Sequence, residues 1–281
     1  MSTFIGIDLG GTKVLGAKVS EGNIIKEDRR LLPTDNGDQN VVIDLIVDVI
    51  NLLIDDTVEA IGIGVPSMVD PDNGIVYDVQ NIPSWKEVHI IDILKKHFNI
   101  PIYIGNDANC YALGEAYFGK GIDSNFFVGI TIGTGLGAGI VYKRNLLEDS
   151  SGASGEFGIV PYLDGVVEDY CSGHFFHTKC GKPGDKVAEL ARQGDVECIN
   201  AYKEFGMHLG NAIKIVMATV DPDRIIIGGS VAQSKEFFMD EMLETIKKYP
   251  FPRSVENLQL TFSNTNNMSV LGAASLCFNV E

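Results

Sequence analysis

The residues FIGIDLGGTK, numbered 4–13, place a tight turn directly after a short apolar run. The run has the length and β-branched content of a buried strand, and Asp8 lies near its end. Gly10 and Gly11 follow, and residues 14–19 form a second apolar run. Because glycine has no β-carbon, the chain can reverse sharply here. The pattern predicts two strands joined by a glycine turn.

The polar residues of this turn are of the kinds that hold a phosphate and a metal ion. Backbone N–H groups in a glycine turn can bind phosphate oxygens, to which Thr12 adds a hydroxyl and Lys13 a cation. Asp8 would repel phosphate directly, but it could bind Mg²⁺ through water. An ordinary hairpin with a Gly-Gly turn is the open alternative. A Walker A loop is excluded, because its spacing is absent and a strand follows.

A second copy of the pattern occurs near the middle of the chain. Residues 127–133, FVGITIG, match residues 4–10, FIGIDLG, at four of seven positions. The second turn, Gly133-Thr134-Gly135, also fits part of a dinucleotide-binding fingerprint, but a strand pattern follows where that motif needs a helix. Chance similarity is the alternative. We interpret the repeat as two lobes of common design, each with one glycine turn.

A third glycine pair, Gly228-Gly229, ends the apolar run in RIIIGGS at residues 224–230. The pair would allow close approach by a flat group such as an adenine, and a simple strand-to-helix turn would explain it equally well. Taken together, the three turns favour a nucleotide held between two lobes.

Apolar periodicity gives an alternation of strands and helices, which is typical of the α/β class. A helix is predicted at residues 40–54, with Asp44 and Asp48 on its polar side. Further predicted strands cover residues 60–66, 100–107 and 224–230, and further predicted helices cover residues 88–98, 108–119, 198–220 and 267–278.

Asn106 and Asp107 stand between a predicted strand and a predicted helix. Asn106 is a candidate N-cap, and capping alone would explain the pair. A carboxylate at the carboxyl end of a strand is also where a general base would lie, and the helix N-terminus favours its ionised form. Asn81, within QNIPSW, and Asn106 could offer paired amides to a polyol.

Two glutamates follow in glycine-containing segments, Glu156 in GASGEFG and Glu168 in VEDYCSG. Carboxylates accept hydrogen bonds from vicinal hydroxyls. Solvated surface acids are the plain alternative in a chain with 38 acidic residues. The segment HFFHTKC spaces its ligand types as H-x₂-H-x₂-C without a fourth ligand, so it is interpreted as an aromatic helix with exposed His174 and His177.

Composition restricts the partners. The chain has 281 residues with a formal net charge of −16, which argues against nucleic-acid and anionic-membrane binding but permits a local nucleotide site. No signal peptide or membrane-length apolar run is evident. The five cysteines include no CxxC pair. We therefore expect a cytoplasmic protein with reduced thiols.

In this order, the motifs closely resemble those of the ROK-family sugar kinases, which include bacterial glucokinases, N-acetylhexosamine kinases and some fructokinases. The resemblance rests on IDLGGTK, GIGVP with VDPDNG, QNIPSW, NDANCYALGE, GTGLGAG, GEFG and IIIGGS. It implies a two-lobed, actin-like (ribonuclease-H-like) ATPase fold with ATP and sugar in a central cleft. The sugar and phosphate lobe would comprise residues 1–113 with a returning helix at 267–281, and the nucleotide lobe residues 114–266.

The resemblance also implies roles by position. Asp107 matches the catalytic base that takes the proton from the sugar hydroxyl. Asn106, Glu156 and Glu168 match ligands of the sugar hydroxyls, with Asn81 a weaker match. The contacts to Mg²⁺ (through water), phosphates and nucleotide are matched by Asp8, Gly10, Gly11, Thr12, Lys13, Gly133, Thr134, Gly135, Gly228 and Gly229.

Three departures from the family pattern are visible. Ile159 stands where members usually carry a histidine after the glutamate of the GE pair, which removes one sugar contact. Ser67 stands where a glycine is common after the GVP proline. The CxCGxxGC zinc segment is missing, and only eleven residues separate Glu156 from Glu168. We therefore expect no structural zinc.

The resemblance implies ATP-dependent phosphorylation of a hexose, with glucose at its 6-hydroxyl as the expected substrate. Kinases of N-acetylhexosamines, mannose or fructose are alternatives, as is a non-catalytic sugar sensor. A repressor of this family would carry an N-terminal helix-turn-helix, for which the strand at Phe4 leaves no room. We expect ATP, Mg²⁺ and a sugar as ligands, no nucleic-acid or membrane partner, and, from the family, a homodimer.

Overall fold

The computed structural model describes residues 2–33, 37–79, 81–147, 149, 152–265 and 267–278. The chain divides into two compact units. One contains Met1–Asp123, Gly139–Ser154 and Thr265–Glu281, and the other contains Ser124–Ala138 and Gly155–Asn264. The lobe limits expected above, 1–113 with 267–281 and 114–266, stay a prediction, and residues 279–281 lie outside the described part.

The first unit is built on a five-stranded sheet in the order β3-β2-β1-β4-β8. β1 pairs antiparallel with β2 and parallel with β4, which in turn pairs parallel with β8. A small antiparallel sheet, β5-β6-β7, follows β4. The strands are β1 Thr3–Leu9, β2 Lys13–Ser20, β3 Asn23–Leu31, β4 Val58–Val65, β5 Met68–Asp70, β6 Ile75–Tyr77, β7 Glu87–Val88 and β8 Ile102–Asn106.

Helices cover both faces of this sheet. α1 (Gln39–Leu53) begins at Asp38, whose side chain accepts a hydrogen bond from the backbone N–H of Asn40 at 2.9 Å. Its apolar face packs on Ile5 and Ile7 of β1. Since each fully buried aliphatic side chain contributes about 1.5–3 kcal/mol, this face is a major source of stability. The opposite face is covered by α3 (Asp107–Phe118) and the C-terminal helix, which packs against α3, β1 and β4.

Another five-stranded sheet has the order β11-β10-β9-β14-β15, of which β9, β14, β15 and the start of β10 belong to the second unit, as does a two-stranded hairpin, β12-β13. The boundary between the units falls within β10, after Ala138. The strands are β9 Phe126–Ile132, β10 Leu136–Tyr142, β11 Asn145–Leu146, β12 Pro161–Tyr162, β13 Gly165–Val166, β14 Arg224–Gly228 and β15 Gln259–Phe262.

An aromatic core fills the helical side of the second unit. Phe176, Tyr202, Phe205 and Phe238 are buried with ring centroids about 4.4–6.4 Å apart, where ring pairs add to the stability from burial. The remaining helices of the chain are α2 Ile90–Leu94, α4 Val167–Cys171, α5 Gly173–Cys180, α6 Gly184–Arg192, α7 Val196–Val220, α8 Met239–Ile246, α9 Pro252–Asn257 and α10 Met268–Ser275, with 3₁₀ turns at Phe157–Ile159 and Val231–Phe237.

Most predicted elements are confirmed to within a few residues, including both strand–turn–strand units and the exposed positions of Asp44 and Asp48. The helix predicted over residues 88–98 is wrong in extent. Val88 belongs to β7, and α2 ends at Leu94, after which i→i−3 hydrogen bonds from Lys96 and His97 tighten the chain into turns. In the described residues, every helix is too short or too polar to cross a bilayer.

Candidate functional site

The junction between β8 and α3 is held by Asn106. Its Oδ1 accepts hydrogen bonds from the backbone N–H groups of Ala108 (2.9 Å) and Asn109 (3.1 Å), so the predicted N-cap is confirmed. Its Nδ2 donates to the carbonyl of Ser67 at 3.2 Å, and the Ser67 hydroxyl donates to the carbonyl of Tyr77. The amide of Asn106 therefore fixes the loop after β4 as well as the start of α3.

Asp107 is the first residue of α3 and is half-buried. Its Oδ1 accepts a hydrogen bond from the backbone N–H of Ala108 at 2.8 Å. Asp8 of β1 pairs with Gly64 of β4, and Gly64 pairs with Gly105 of β8, so Asp8 and Asp107 come from the same edge of one sheet. This edge, at the carboxyl ends of parallel strands, is where α/β proteins bind ligands.

Asp8 sits in a poorly solvated position. Burial raises the pKa of its carboxyl to about 6, and the ammonium of Lys13 offsets part of that rise. The ionised form of a carboxylate with so little contact to water is stabilised by a nearby cation. In the described residues, no group of three or more His, Cys, Asp or Glu side chains could hold a metal ion by itself.

The first glycine turn is open to solvent. The N–H of Gly10 donates to the carbonyl of Lys13 at 2.9 Å and closes the hairpin, while Gly11 and Thr12 are exposed. Asn81 packs against this turn, because a β-carbon on Gly11 would lie 2.8 Å from its Nδ2. The segment that carries Asn81 is anchored by the buried Trp85, whose indole N–H donates to the carbonyl of Gln39 at 3.1 Å.

The second glycine turn lies beside a pair of carboxylates. Glu168 Oε2 accepts a hydrogen bond from the backbone N–H of Leu136 at 2.7 Å and lies against the backbone of Gly135. Burial, and then the charge of Glu168, raise the pKa of Glu156. The two glutamates predicted from separate motifs are therefore neighbours within the second unit.

The hairpin β12-β13 occupies the short segment between these glutamates. The amide of Asn211 donates to the Tyr162 hydroxyl at 3.0 Å, and that hydroxyl lies 3.1 Å from Nδ1 of His208. Burial lowers the pKa of His208, which favours the neutral ring, whose unprotonated nitrogen can accept a hydrogen bond from the Tyr162 hydroxyl. Sequence reasoning missed this network, and no local pattern around Tyr162 would have predicted it. Ile159, which stands where the family that the motifs resemble usually has a histidine, is 68% exposed.

A cavity of about 1080 Å³ lies in the second unit. Protein pockets for small ligands range from about 300 to 1,000 Å³, so this one could hold a nucleotide. Gly229 adopts a positive φ of 88° and lies directly against the carbonyl of Ile132, so neighbouring backbone alone requires a glycine there. The cavity walls include Gly133, Thr134, Gly173, Ser230, Val231 and Ser234.

His174 and His177 are exposed on α5 and also line this cavity. The interpretation of their segment as an aromatic helix is confirmed, since Phe175 and Phe176 are buried between them. Sequence reasoning missed Ser230 and Ser234 as cavity residues. Ser230 directly follows the glycine pair, which is the signal that could have identified it.

Each unit therefore groups its own share of the predicted residues. The first brings Asp8, Asp107 and Asn106 to one sheet edge and packs Asn81 on the first glycine turn. The second groups the two glutamates and the second glycine turn, with Gly229 placed just before the cavity residue Ser230. The roles assigned to these residues stay predictions.

Comparison with known proteins identifies the relatives of this chain. A model of the ROK family matches residues 4–279. A glucokinase from Thermotoga maritima is 29% identical over 304 aligned residues, covering 97% of this chain and 96% of that protein. A xylose repressor from Bacillus spizizenii is 27% identical and covers 97% of this chain and 76% of the repressor.

A solved structure extends the likeness to three dimensions. The ROK family glucokinase from Streptomyces griseus, in complex with glucose and AMPPNP, matches with a TM-score of 0.84 at 26% identity, over 98% of this chain and 99% of that one. The predicted actin-like, ribonuclease-H-like α/β fold is thereby confirmed.

Proposed function

This chain belongs to the ROK family, and we propose on that basis that it is an ATP-dependent hexose kinase that phosphorylates glucose at its 6-hydroxyl. The placement of Asp107 carries the proposal. Its carboxylate stands at the end of β8, at the sheet edge that also presents Asp8. The glucokinases among the relatives support this reaction. Because another relative is a xylose repressor, the test has to measure whether this chain turns over a sugar.

In the proposed reaction, Asp107 accepts the proton of the sugar hydroxyl as its oxygen bonds to phosphorus. Phosphoryl transfer needs alignment and charge neutralisation more than covalent help from the protein, so one positioned carboxylate is sufficient as the base. Asn106 and Asn81 are the proposed amide ligands of the sugar in this unit. The capping bonds of Asn106 hold its amide in one orientation, which favours precise contacts to hydroxyl groups.

In the second unit, Glu156 and Glu168 are the proposed acceptors for sugar hydroxyls. Glu168 uses one oxygen on the N–H of Leu136, and a carboxylate has about four acceptor positions, so it retains capacity for a hydroxyl. The cavity is the proposed nucleotide site. Thr134 and the backbone of Gly133 and Gly135 would contact phosphates, and the wall after Gly229 would face the adenosine.

The residues present fit a magnesium ion that is bound mainly by phosphates. Mg²⁺ commonly keeps several waters and uses one or two carboxylates together with substrate phosphates. Asp8 is the one carboxylate that the first turn offers, and burial raises the pKa of its carboxyl to about 6, with Lys13 offsetting part of that rise. Asp8 would hold Mg²⁺ through water, and the ion would neutralise phosphate charge. Gly10, Gly11, Thr12 and Lys13 are the proposed phosphate ligands of this unit.

A sugar panel tests the proposal. The purified chain is assayed for ADP release with ATP, Mg²⁺ and either glucose, mannose, fructose, N-acetylglucosamine or N-acetylmannosamine. We expect the highest kcat/KM with glucose and a product that is phosphorylated at the 6-position by NMR. A higher kcat/KM with another sugar would reassign the substrate within the family.

Sugar binding without turnover would favour the sensor alternative instead. Isothermal titration with glucose, in the presence of AMPPNP and Mg²⁺, separates that case from loss of the sugar site. Tight glucose binding with no ADP release above the rate without sugar would overturn the kinase proposal.

A further inference from the structure

Gly64 lies at the end of β4, directly beneath the first turn of α3. A β-carbon at this position would lie 3.1 Å from Sγ of Cys110, 3.4 Å from its Cβ and 3.6 Å from Cα of Asp107. The first of these distances is tighter than a normal carbon contact, so α3 or the cysteine would have to move by a few tenths of an ångström. The absence of a side chain at Gly64 therefore permits the close approach of α3 to the sheet.

α3 is also packed tightly against α10, which lies beside it on the same face of the sheet. The backbone carbonyl of Cys110 lies directly against Gly272 of α10, and Cys110 itself is fully buried. Gly114, one turn further along α3, is likewise in close contact with the carbonyl of Met268. Protein interiors are close-packed, so the displacement caused by a methyl group added beneath α3 would be passed on to neighbouring atoms.

We propose that Gly64 is a positioning residue, and that its contact with Cys110 fixes the depth at which α3 holds the carboxylate of Asp107. This inference rests on the proposed function, in which Asp107 is the base. A displacement of about 1 Å at a reacting group can cost about a hundredfold in rate, so a shift of a few tenths of an ångström should cost about tenfold.

The test begins with Gly64→Ala. We expect kcat for the sugar to fall about tenfold, while KM for ATP stays within about twofold, because the proposed nucleotide ligands lie outside α3. Adding Cys110→Ala removes the closest atom and leaves the contacts to Cβ of residue 110 (3.4 Å) and to Cα of Asp107 (3.6 Å), which are of ordinary length, so the double variant should recover most of the lost kcat. Cys110→Ala alone is the control and should stay near the wild-type rate.

A second pair of measurements shows whether the effect passes through Asp107. In a chain that already carries Asp107→Asn, Gly64→Ala should lower the residual rate by less than twofold, because the group that it displaces no longer acts as a base. An equal tenfold loss in both backgrounds, a loss that Cys110→Ala does not relieve, or a normal kcat in folded Gly64→Ala would each overturn the positioning role.

Crystal structures keep this test separate from the proposed function. Asp107 should be displaced in Gly64→Ala and should return in Gly64→Ala/Cys110→Ala, whether or not the chain turns over sugar. Absence of turnover in the wild-type chain would reject the kinase proposal alone. An unmoved Asp107 would reject the positioning proposal alone. Circular dichroism and thermal unfolding establish that each variant is folded.

Discussion

Asp107 begins α3 with its carboxylate at the end of β8, and replacing it changes a single proton acceptor. Asp107→Asn keeps the size and shape of the side chain but cannot take up the proton, so we expect turnover to fall by roughly 10²–10⁴ while nucleotide affinity is kept. Steady-state kinetics and titration with AMPPNP measure the two quantities. Asp44→Asn, on the exposed side of α1, is the matched control. Near-normal turnover in Asp107→Asn would refute the role of base.

Glu156 is a residue whose ionisation should affect stability. Its folded-state pKa is raised above the ordinary value of 4.5, so folding favours the protonated form. The stability that it contributes is fully present below pH 4.5 and is lost as the pH rises through the raised pKa. In Glu156→Gln the side chain at this position is neutral at every pH. The free energy of unfolding of this variant should therefore rise relative to that of the wild type as the pH increases through this interval. Urea unfolding from about pH 4 to about pH 7 measures the difference. A constant difference would contradict the shift.

The hairpin β12-β13 is the element that the sequence described least. It is only two residues per strand, so it relies on its anchor to α7 through Tyr162. Tyr162→Phe leaves the amide of Asn211 and Nδ1 of His208 without the hydroxyl. An unpaired, partly buried polar group costs about 1–3 kcal/mol, so we expect a loss of that order.

Thermal and urea unfolding measure this loss. Tyr249→Phe, which keeps that ring's contact with Phe251 in the same unit, is the control and should change the free energy of unfolding by less than about 0.5 kcal/mol. If both variants were equally stable, the hydroxyl of Tyr162 would have no anchoring role.

Elements with strong periodicity were predicted well, and short ones were not. α1 and α7 have long apolar faces, so their sequence fixes both their type and their approximate limits. Residues 88–98 have apolar residues at helical spacing too, but Val88 pairs with Val76 across a small sheet. Tertiary pairing overrides a weak local preference in so short a segment.

At the scale of the whole molecule, the two large sheets share one order of strands. In each, a hairpin with a glycine turn supplies the first two strands and a third strand extends it. On its other side in the sheet, the first strand is flanked by two parallel strands, which are β4 and β8 in one sheet and β14 and β15 in the other. This common topology supports the internal repeat between residues 4–10 and 127–133.

Ligand binding at the proposed nucleotide site should raise the stability of the protein. A ligand that binds only the folded state at a hundred times its Kd adds about 2.7 kcal/mol, so AMPPNP with Mg²⁺ should raise Tm by several degrees. Thr134→Val removes a hydroxyl from the cavity wall and should weaken this response. Thr219→Val, at an exposed position of α7, is the control. Differential scanning calorimetry gives the shifts, and an equal response in all three proteins would argue against a phosphate contact at Thr134.

Local sequence was sufficient to establish the strands, the glycine turns and the N-cap at Asn106, because these depend on residues within a few positions of one another. Only the tertiary structure decided which distant residues meet. It placed Glu156 beside Glu168, and it showed that the backbone of Ile132 by itself requires a glycine at position 229. The role proposed for Gly64 arises in the same way, since a β-carbon added there would meet a helix more than forty residues further along the chain. Close packing sets such contacts, and a one-dimensional pattern contains no distance between segments.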